Sequence, residues 1–128
     1  MQPRDKYISK LAGANVLIIG GTAGVGYAVA EAVVKHSAAS VILSSFNLDR
    51  VSASTSRLRE SYLSTACQIT GFACDLKQES LLESSIEGLF NAATLEGTRQ
   101  LNHVIFTAGV HPNPKPFSQI DFNFIKLA

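Results

Sequence analysis

Four glycines fall within the seven residues from Gly20 to Gly26, directly after the apolar run Val16-Leu17-Ile18-Ile19. The spacing G-x-x-x-G-x-G suits a strand–turn–helix unit that seats the pyrophosphate of a dinucleotide. Gly20 would turn the chain sharply off the strand end, where a Cβ would clash. Gly24 would leave backbone room for the phosphates, and Gly26 would let the new helix pack close to the strand. Gly21, Thr22, Ala23 and Val25 complete the turn. The helix N-terminus then offers unpaired N–H groups and the positive end of its dipole to an anion. Glycine-rich turns often only turn, so the string alone leaves both readings open.

Placing that turn requires a strand before it and a helix after it, and the pattern repeats along the chain. Short apolar runs predict strands over Asn15–Gly20, Ser40–Ser45, Cys67–Ala73 and Asn102–Thr107. Helical spacing links Val25, Val29, Ala32 and Val33 between Gly24 and Lys35. It links Leu48, Val51, Leu58 and Tyr62 between Leu48 and Ser64, and Leu82, Ile86, Leu89, Phe90 and Ala93 between Glu79 and Ala93. The alternation β-α-β-α-β-α-β predicts an α/β fold, a doubly wound parallel sheet with helices on both faces and strand order 3-2-1-4. A proline-punctuated loop with Pro112, Pro114 and Pro116 follows Gly109, and Phe117–Ala128 reads as the start of another helix. The sequence closes inside that helical segment without a cap. It is therefore expected to be the N-terminal part of a longer protein, with strand 4 left as an apolar edge.

In such a sheet, ligands bind at the carboxyl ends of the strands. Asp75-Leu76 ends the third strand and Ala108-Gly109 the fourth, beside the glycine turn. The second strand ends in Ser44-Ser45-Phe46-Asn47-Leu48-Asp49-Arg50. An acidic residue there would bind a ribose 2′-hydroxyl and repel a 2′-phosphate. Ser45 stands in its place, and Ser44, Ser45, Asn47 and Arg50 can all donate to a phosphate dianion. That favours NADP over NAD. Plainer readings stand beside these: Asp75 as a helix N-cap, Arg50 as a solvated helix arginine, Ala108-Gly109 as an ordinary turn. Of His36, His103 and His111, only His111 lies where a substrate contact is conceivable.

Composition excludes several classes. The 128 residues carry a formal net charge of +1, with 16% charged and 46% hydrophobic residues. That is a single domain without the basic face that nucleic acid demands. No apolar stretch approaches a membrane span of about 20 residues, and the N-terminus lacks a signal-peptide core. Cys67 and Cys74 form no CxxC, and no Cys/His cluster has metal-ligand spacing. A cytoplasmic protein with reduced thiols is expected, with no nucleic-acid or membrane partner.

Taken together, the motifs resemble the short-chain dehydrogenase/reductase family. Gly20-Gly21-Thr22-Ala23-Gly24-Val25-Gly26 matches its TGxxxGxG, Asp75-Leu76 its adenine-contacting pair, and Phe106-Thr107-Ala108-Gly109 its NNAG, in family order and spacing. The match covers the N-terminal, cofactor-binding half of a family domain, a Rossmann-type sheet. The resemblance implies that Gly20, Gly24 and Gly26 line the pyrophosphate and that Asp75 accepts from the adenine amino group. Leu76 would offer its N–H to the ring, and Ala108 and Gly109 would pass the nicotinamide ribose. It also implies hydride transfer between NADP(H) and a small carbonyl or alcohol substrate, in a protein that is homo-oligomeric at full length. No catalytic residue is assigned, because Tyr7, Tyr27 and Tyr62 lie outside any YxxxK. The departures are Ile19 for the family's threonine, and Phe106 and Thr107 for its asparagines; apolar packing is expected to replace the polar tie between strand 4 and the glycine turn. Those departures give weight to an alternative, a cofactor-binding protein without dehydrogenase activity. A complete scaffold-type protein is a third and weaker reading.

Overall fold

The computed structural model describes residues 10–107. Within them, strands and helices alternate as β1 (Asn15–Ile19), α1 (Gly24–Lys35), β2 (Ser40–Ser45), α2 (Leu48–Ser61), β3 (Gln68–Ala73), α3 (Leu82–Ala93) and β4 (His103–Phe106). A single 3-10 turn, Glu79–Leu81, leads into α3. All strand pairs are parallel, and the order is β3-β2-β1-β4. This is the doubly wound order that the alternation predicts. The proline loop and the segment Phe117–Ala128 lie outside the described residues.

Burial explains which strands run through the middle. β1 after Asn15 and the centre of β2, Val41-Ile42-Leu43, are apolar, and both strands are buried on both faces, as strands covered by helices on each side must be. β3 and β4, at the sheet edges among the described residues, are only partly covered. Successive residues of β1 point to opposite faces. Val16 and Ile18 pack with Val41, Leu43 and Ile69 under Tyr27, Ala30, Val33 and Val34 of α1 and Leu58 of α2. Leu17 and Ile19 pack with Ile42 under Leu89 and Ala93 of α3. Two helices thus cover one face and the third covers the other.

The helices differ from their sequence patterns in rotation and in length. Helical spacing alone selects Val25, Val29, Ala32 and Val33 as the inner face of α1. The structure instead buries Gly26, Tyr27, Ala30, Val33 and Val34, and leaves Val25 72% exposed. The cause is Gly26, which must face the end of β1 and so fixes the rotation of the whole helix. In α2, Ser54 and Thr55 join Val51 and Leu58 in the interior, whereas Leu48 is exposed. The Thr55 hydroxyl is satisfied by the Val51 carbonyl at 2.9 Å, which makes its burial tolerable. The same helix ends at Ser61 rather than Ser64, because Tyr62 leaves helical geometry at φ −132°. Arg59 anchors that end by donating from Nε to the Ile69 carbonyl of β3 at 2.9 Å. In α3 only Leu89 and Ala93 are buried; Ile86 and Phe90 of the expected stripe are exposed. Strand limits shift by a residue at β1, β3 and β4.

Among the described residues no helix is long and apolar enough to cross a membrane.

Leu58 is fully buried at the centre of the α2 contact. Leu58→Ala is expected to lower unfolding stability by about 2–5 kcal/mol, through lost burial and the cavity left behind. Denaturant titration of the full chain checks this; a change below about 1 kcal/mol would mean that α2 contributes little to the core.

Candidate functional site

The glycine turn is built from three different constraints. Gly20 and Gly24 sit at φ 93° and φ 58°, the left-handed region that side chains disfavour. Gly26 is constrained by space instead. A Cβ there would run into the Gly20 carbonyl oxygen and lie 2.6 Å from the Thr107 hydroxyl. The turn is held from the side by Ser44, whose carbonyl accepts from the Gly20 and Gly21 N–H groups at 2.8 and 3.2 Å. Ser54 of α2 adds a bond from its hydroxyl to the Thr22 carbonyl at 2.8 Å.

Helix α1 starts at this turn without protection. Its N-cap residue Ala23 is extended, no side chain caps it, and the first turn contains no acidic residue. The positive end of the helix is therefore left for an outside anion. Helix α2 is treated oppositely. The Asn47 side chain accepts from the Arg50 N–H at 3.1 Å and caps it, and Asp49 sits in the first turn.

Thr107 supplies a tie where the sequence departures predict none. Apolar packing is expected to replace the polar link between β4 and the turn, yet the Thr107 hydroxyl lies 3.2 Å from the Ile19 carbonyl and 3.1 Å from that of Gly20. Its backbone N–H also donates to Ile19 at 2.8 Å. The polar link persists because a threonine hydroxyl on a strand end reaches the neighbouring carbonyls without the length of an asparagine. That expectation is corrected.

A cleft of about 330 Å³ opens at the carboxyl ends of all four strands. The turn contributes Ile19, Gly20, Thr22 and Ala23, and the β2 exit contributes Ser45, Phe46 and Arg50. Cys74, Asp75, Leu76 and Lys77 come from the β3 exit, and Phe106 and Thr107 from β4. Gly21, Gly24, Val25 and Gly26 form the turn and helix start beside it rather than its walls. Ser44 is fully buried, its hydroxyl unpaired among the described residues, and it acts through its carbonyl. Asn47 has its side-chain oxygen committed to the cap, leaving the amide nitrogen to donate outward. Asp75 caps no helix: one carboxylate oxygen accepts from the Lys77 N–H at 2.9 Å, and α3 begins only at Leu82. Ala108, Gly109 and His111 lie outside the described residues.

Six lining residues are not among the assigned site residues: Ile19, Phe106 and Thr107, read only as departures from the motif, and Phe46, Cys74 and Lys77. Phe46 and Lys77 flank motif positions, and a search for a cation two residues beyond Asp75 would have found the second. Cys74 lies in the cleft with its thiol near the Ser85 carbonyl; burial first, then the Asp75 charge, pushes its pKa up. Cys67 is raised by burial as well, so neither thiol is primed as a nucleophile. Both cysteines are free. His36 caps the C-terminal end of α1 and His103 lies in β4, both away from the cleft. Among the described residues no group of three or more His, Cys, Asp or Glu could hold a metal.

A family model for an SDR-like Rossmann domain matches residues 7–128. The chain is 44% identical over 109 residues to the short-chain dehydrogenase/reductase fsr5 of Gibberella fujikuroi, covering 85% of this chain and 40% of that protein. It is 32% identical over 127 residues to the short-chain dehydrogenase/reductase malC of Malbranchea aurantiaca, covering 98% and 47%. The chain thus spans less than half the length of these relatives. The solved MalC reductase/Diels-Alderase from Malbranchea aurantiaca matches at TM-score 0.75 and 30% identity, over 91% of this chain and 44% of that one. A 3-oxoacyl (acyl-carrier-protein) reductase from Agrobacterium tumefaciens, solved with NADP bound, matches at TM-score 0.71 and 20% identity over 98% and 44%, a likeness of fold alone.

Thr107→Val keeps the shape of the side chain and removes its two hydroxyl contacts. It is expected to cost about 0.5–1.5 kcal/mol of stability, while Thr107→Ser costs less. Denaturation midpoints of the two variants check this, and equal midpoints for valine and wild type would mean the hydroxyl ties nothing.

Proposed function

This chain belongs to the short-chain dehydrogenase/reductase family, and from that premise we propose that residues 1–128 form a single NADP(H)-binding Rossmann domain of an oxidoreductase. The observation that carries the reading is the uncapped N-terminus of α1, whose cap residue Ala23 borders a cleft that also holds Arg50. The space denied to a Cβ at Gly26 and the open helix end together fit a pyrophosphate.

The assignments run along the cleft, the glycine turn beside it and the residues that follow β4. Gly20 and Gly21, their N–H groups held by the Ser44 carbonyl, shape the turn around the pyrophosphate, and Thr22, Ala23, Gly24, Val25 and Gly26 present backbone N–H groups and the helix dipole to it. Asp75 accepts from the adenine amino group with the carboxylate oxygen left over from its turn, and the Leu76 N–H meets the ring. At the β2 exit, Ser45, Arg50 and the Asn47 amide nitrogen receive a 2′-phosphate, and Ser44 supports them through its hold on the turn. Ala108 and Gly109 flank the ribose of the nicotinamide half. When bound, the nicotinamide supplies or accepts the hydride exchanged with a carbonyl or alcohol carbon.

The reading extends to the whole protein as a homo-oligomer acting on a small carbonyl or alcohol, without nucleic-acid or membrane partners. Two free cysteines support a reducing, cytoplasmic location. A second reading has one observation in its favour. The Malbranchea neighbour is described as both a reductase and a Diels-Alderase, so a cofactor-bound, non-redox reaction is the alternative. Oxidation of NADPH by carbonyl compounds distinguishes the two.

Two outcomes are expected. Gly24→Asp places a side chain at a left-handed position and a charge beside the pyrophosphate, so cofactor affinity should fall more than about tenfold in a folded variant. Wild type should bind NADPH several-fold more tightly than NADH, with Arg50→Ala eroding the preference by about 1–2 kcal/mol and Ser45→Asp reversing it. Calorimetric dissociation constants for both cofactors decide this. Equal affinities, or tighter NADH, would remove the NADP assignment.

A further inference from the structure

The ring of Phe46 stands at the exit of β2, 52% exposed at the mouth of the cleft. Two cations converge on it from different loops. The Lys77 ammonium lies 4.7 Å from the ring centroid, and the Arg50 guanidinium carbon lies 5.8 Å from it. Arg50 comes from the first turn of α2. Lys77 comes from the turn after β3, where the Asp75 carboxylate fixes its backbone N–H. Among the described residues neither cation makes an ion pair, although Asp49 precedes Arg50 and Asp75 lies two residues before Lys77.

That arrangement leaves two cations, both exposed and neither ion-paired, beside one another at the mouth of the cleft. Each cation gains only a modest attraction from an exposed ring face. Two like charges gathered on one ring repel, and among the described residues neither is ion-paired, although the Asp75 carboxylate lines the same cleft. A ligand that carries two negative charges in a small volume turns the repulsion into attraction on both sides. A phosphate monoester does so, with a charge near −1.5 to −2 at neutral pH. The register supports the geometry: Ser45 of β2 pairs with Ala73 of β3, so the Ser45–Arg50 and Asp75–Lys77 turns leave the sheet at the same end. The Lys77 ammonium itself, and not only its stem, sits by the ring, so Phe46 sets where the charge stands.

We infer that Lys77 is a specificity-determining residue for the cofactor, clamping the 2′-phosphate of NADP(H) jointly with Arg50 while Phe46 positions both cations. The inference rests on the NADP(H) reading and adds to it a residue from the β3 loop. Recognition then spans two loops, so the phosphate is held between them and not merely attracted to one arginine.

The test measures dissociation constants for NADPH, NADH and adenosine 2′-monophosphate on the full chain, as wild type, Lys77→Ala, Lys77→Gln and Lys77→Arg. Lys77→Ala and Lys77→Gln should each weaken NADPH and adenosine 2′-monophosphate about tenfold and leave NADH within about twofold. Lys77→Arg should restore most of the loss, because it returns the charge. The salt dependence of NADPH binding should also become shallower in the uncharged variants. If wild type prefers NADPH and the uncharged variants keep the same preference, Lys77 only packs on Phe46 and the inference fails alone. An equal loss for NADPH and NADH would make Lys77 a general support of the loop, which also overturns it. Equal affinities in wild type overturn the NADP(H) reading and this inference together.

Discussion

The first turn of α1 passes so close to the end of β1 that position 26 has no room for a side chain. The Gly20 carbonyl and the Thr107 hydroxyl already occupy that space. One contact therefore joins β1, the glycine turn, α1 and β4. It fixes the rotation of α1, which sends Tyr27, Ala30, Val33 and Val34 into the core and leaves Val25 outside. It also brings the helix start to the sheet edge where the strands end. The cleft exists at that place because the helix cannot stand further away without abandoning its packing.

Two helices begin at the same edge of the sheet and are finished differently. α2 carries a side-chain cap from Asn47 and an acidic residue in its first turn, so its orphan N–H groups and dipole are largely satisfied from within. α1 has neither. A helix start left bare beside a cleft loses little when water solvates it and gains when an anion replaces that water. The contrast within one sheet gives the turn a chemical direction that its glycines alone do not. Arg50 and Lys77 bring positive charge to the β2 and β3 exits of the same cleft, with the Asp75 carboxylate bonded to the Lys77 N–H beside them.

The sheet supports this edge from below. β1 and β2 are buried on both faces, and their side chains alternate between the α1/α2 side and the α3 side. The β2 exit inherits that alternation. Ser44 turns into the interior, and Ser45 turns to the cleft. Two adjacent hydroxyls thus have different tasks, one holding the turn through its carbonyl and the other facing the solvent side.

Local features of the chain determine the order of elements, the parallel doubly wound sheet and the location of the glycine turn. Those follow from short-range periodicity, from glycine's tolerance of positive φ and from the handedness of crossovers. The tertiary structure alone decided which helix faces turn inward, because the phase of α1 is set by a contact between Gly26 and residues six and eighty-one positions away. It decided that Asp75 closes a turn and caps nothing, since the chain needs several further residues before α3 begins. Thr107 has a hydroxyl that packing arguments overlook until β4 lies beside β1. The pairing of Lys77 with Arg50 across Phe46 is likewise invisible in sequence, where the two cations stand twenty-seven residues apart. Periodicity records what each segment does for itself, whereas a site at the strand ends is assembled from segments that meet only when the sheet is formed.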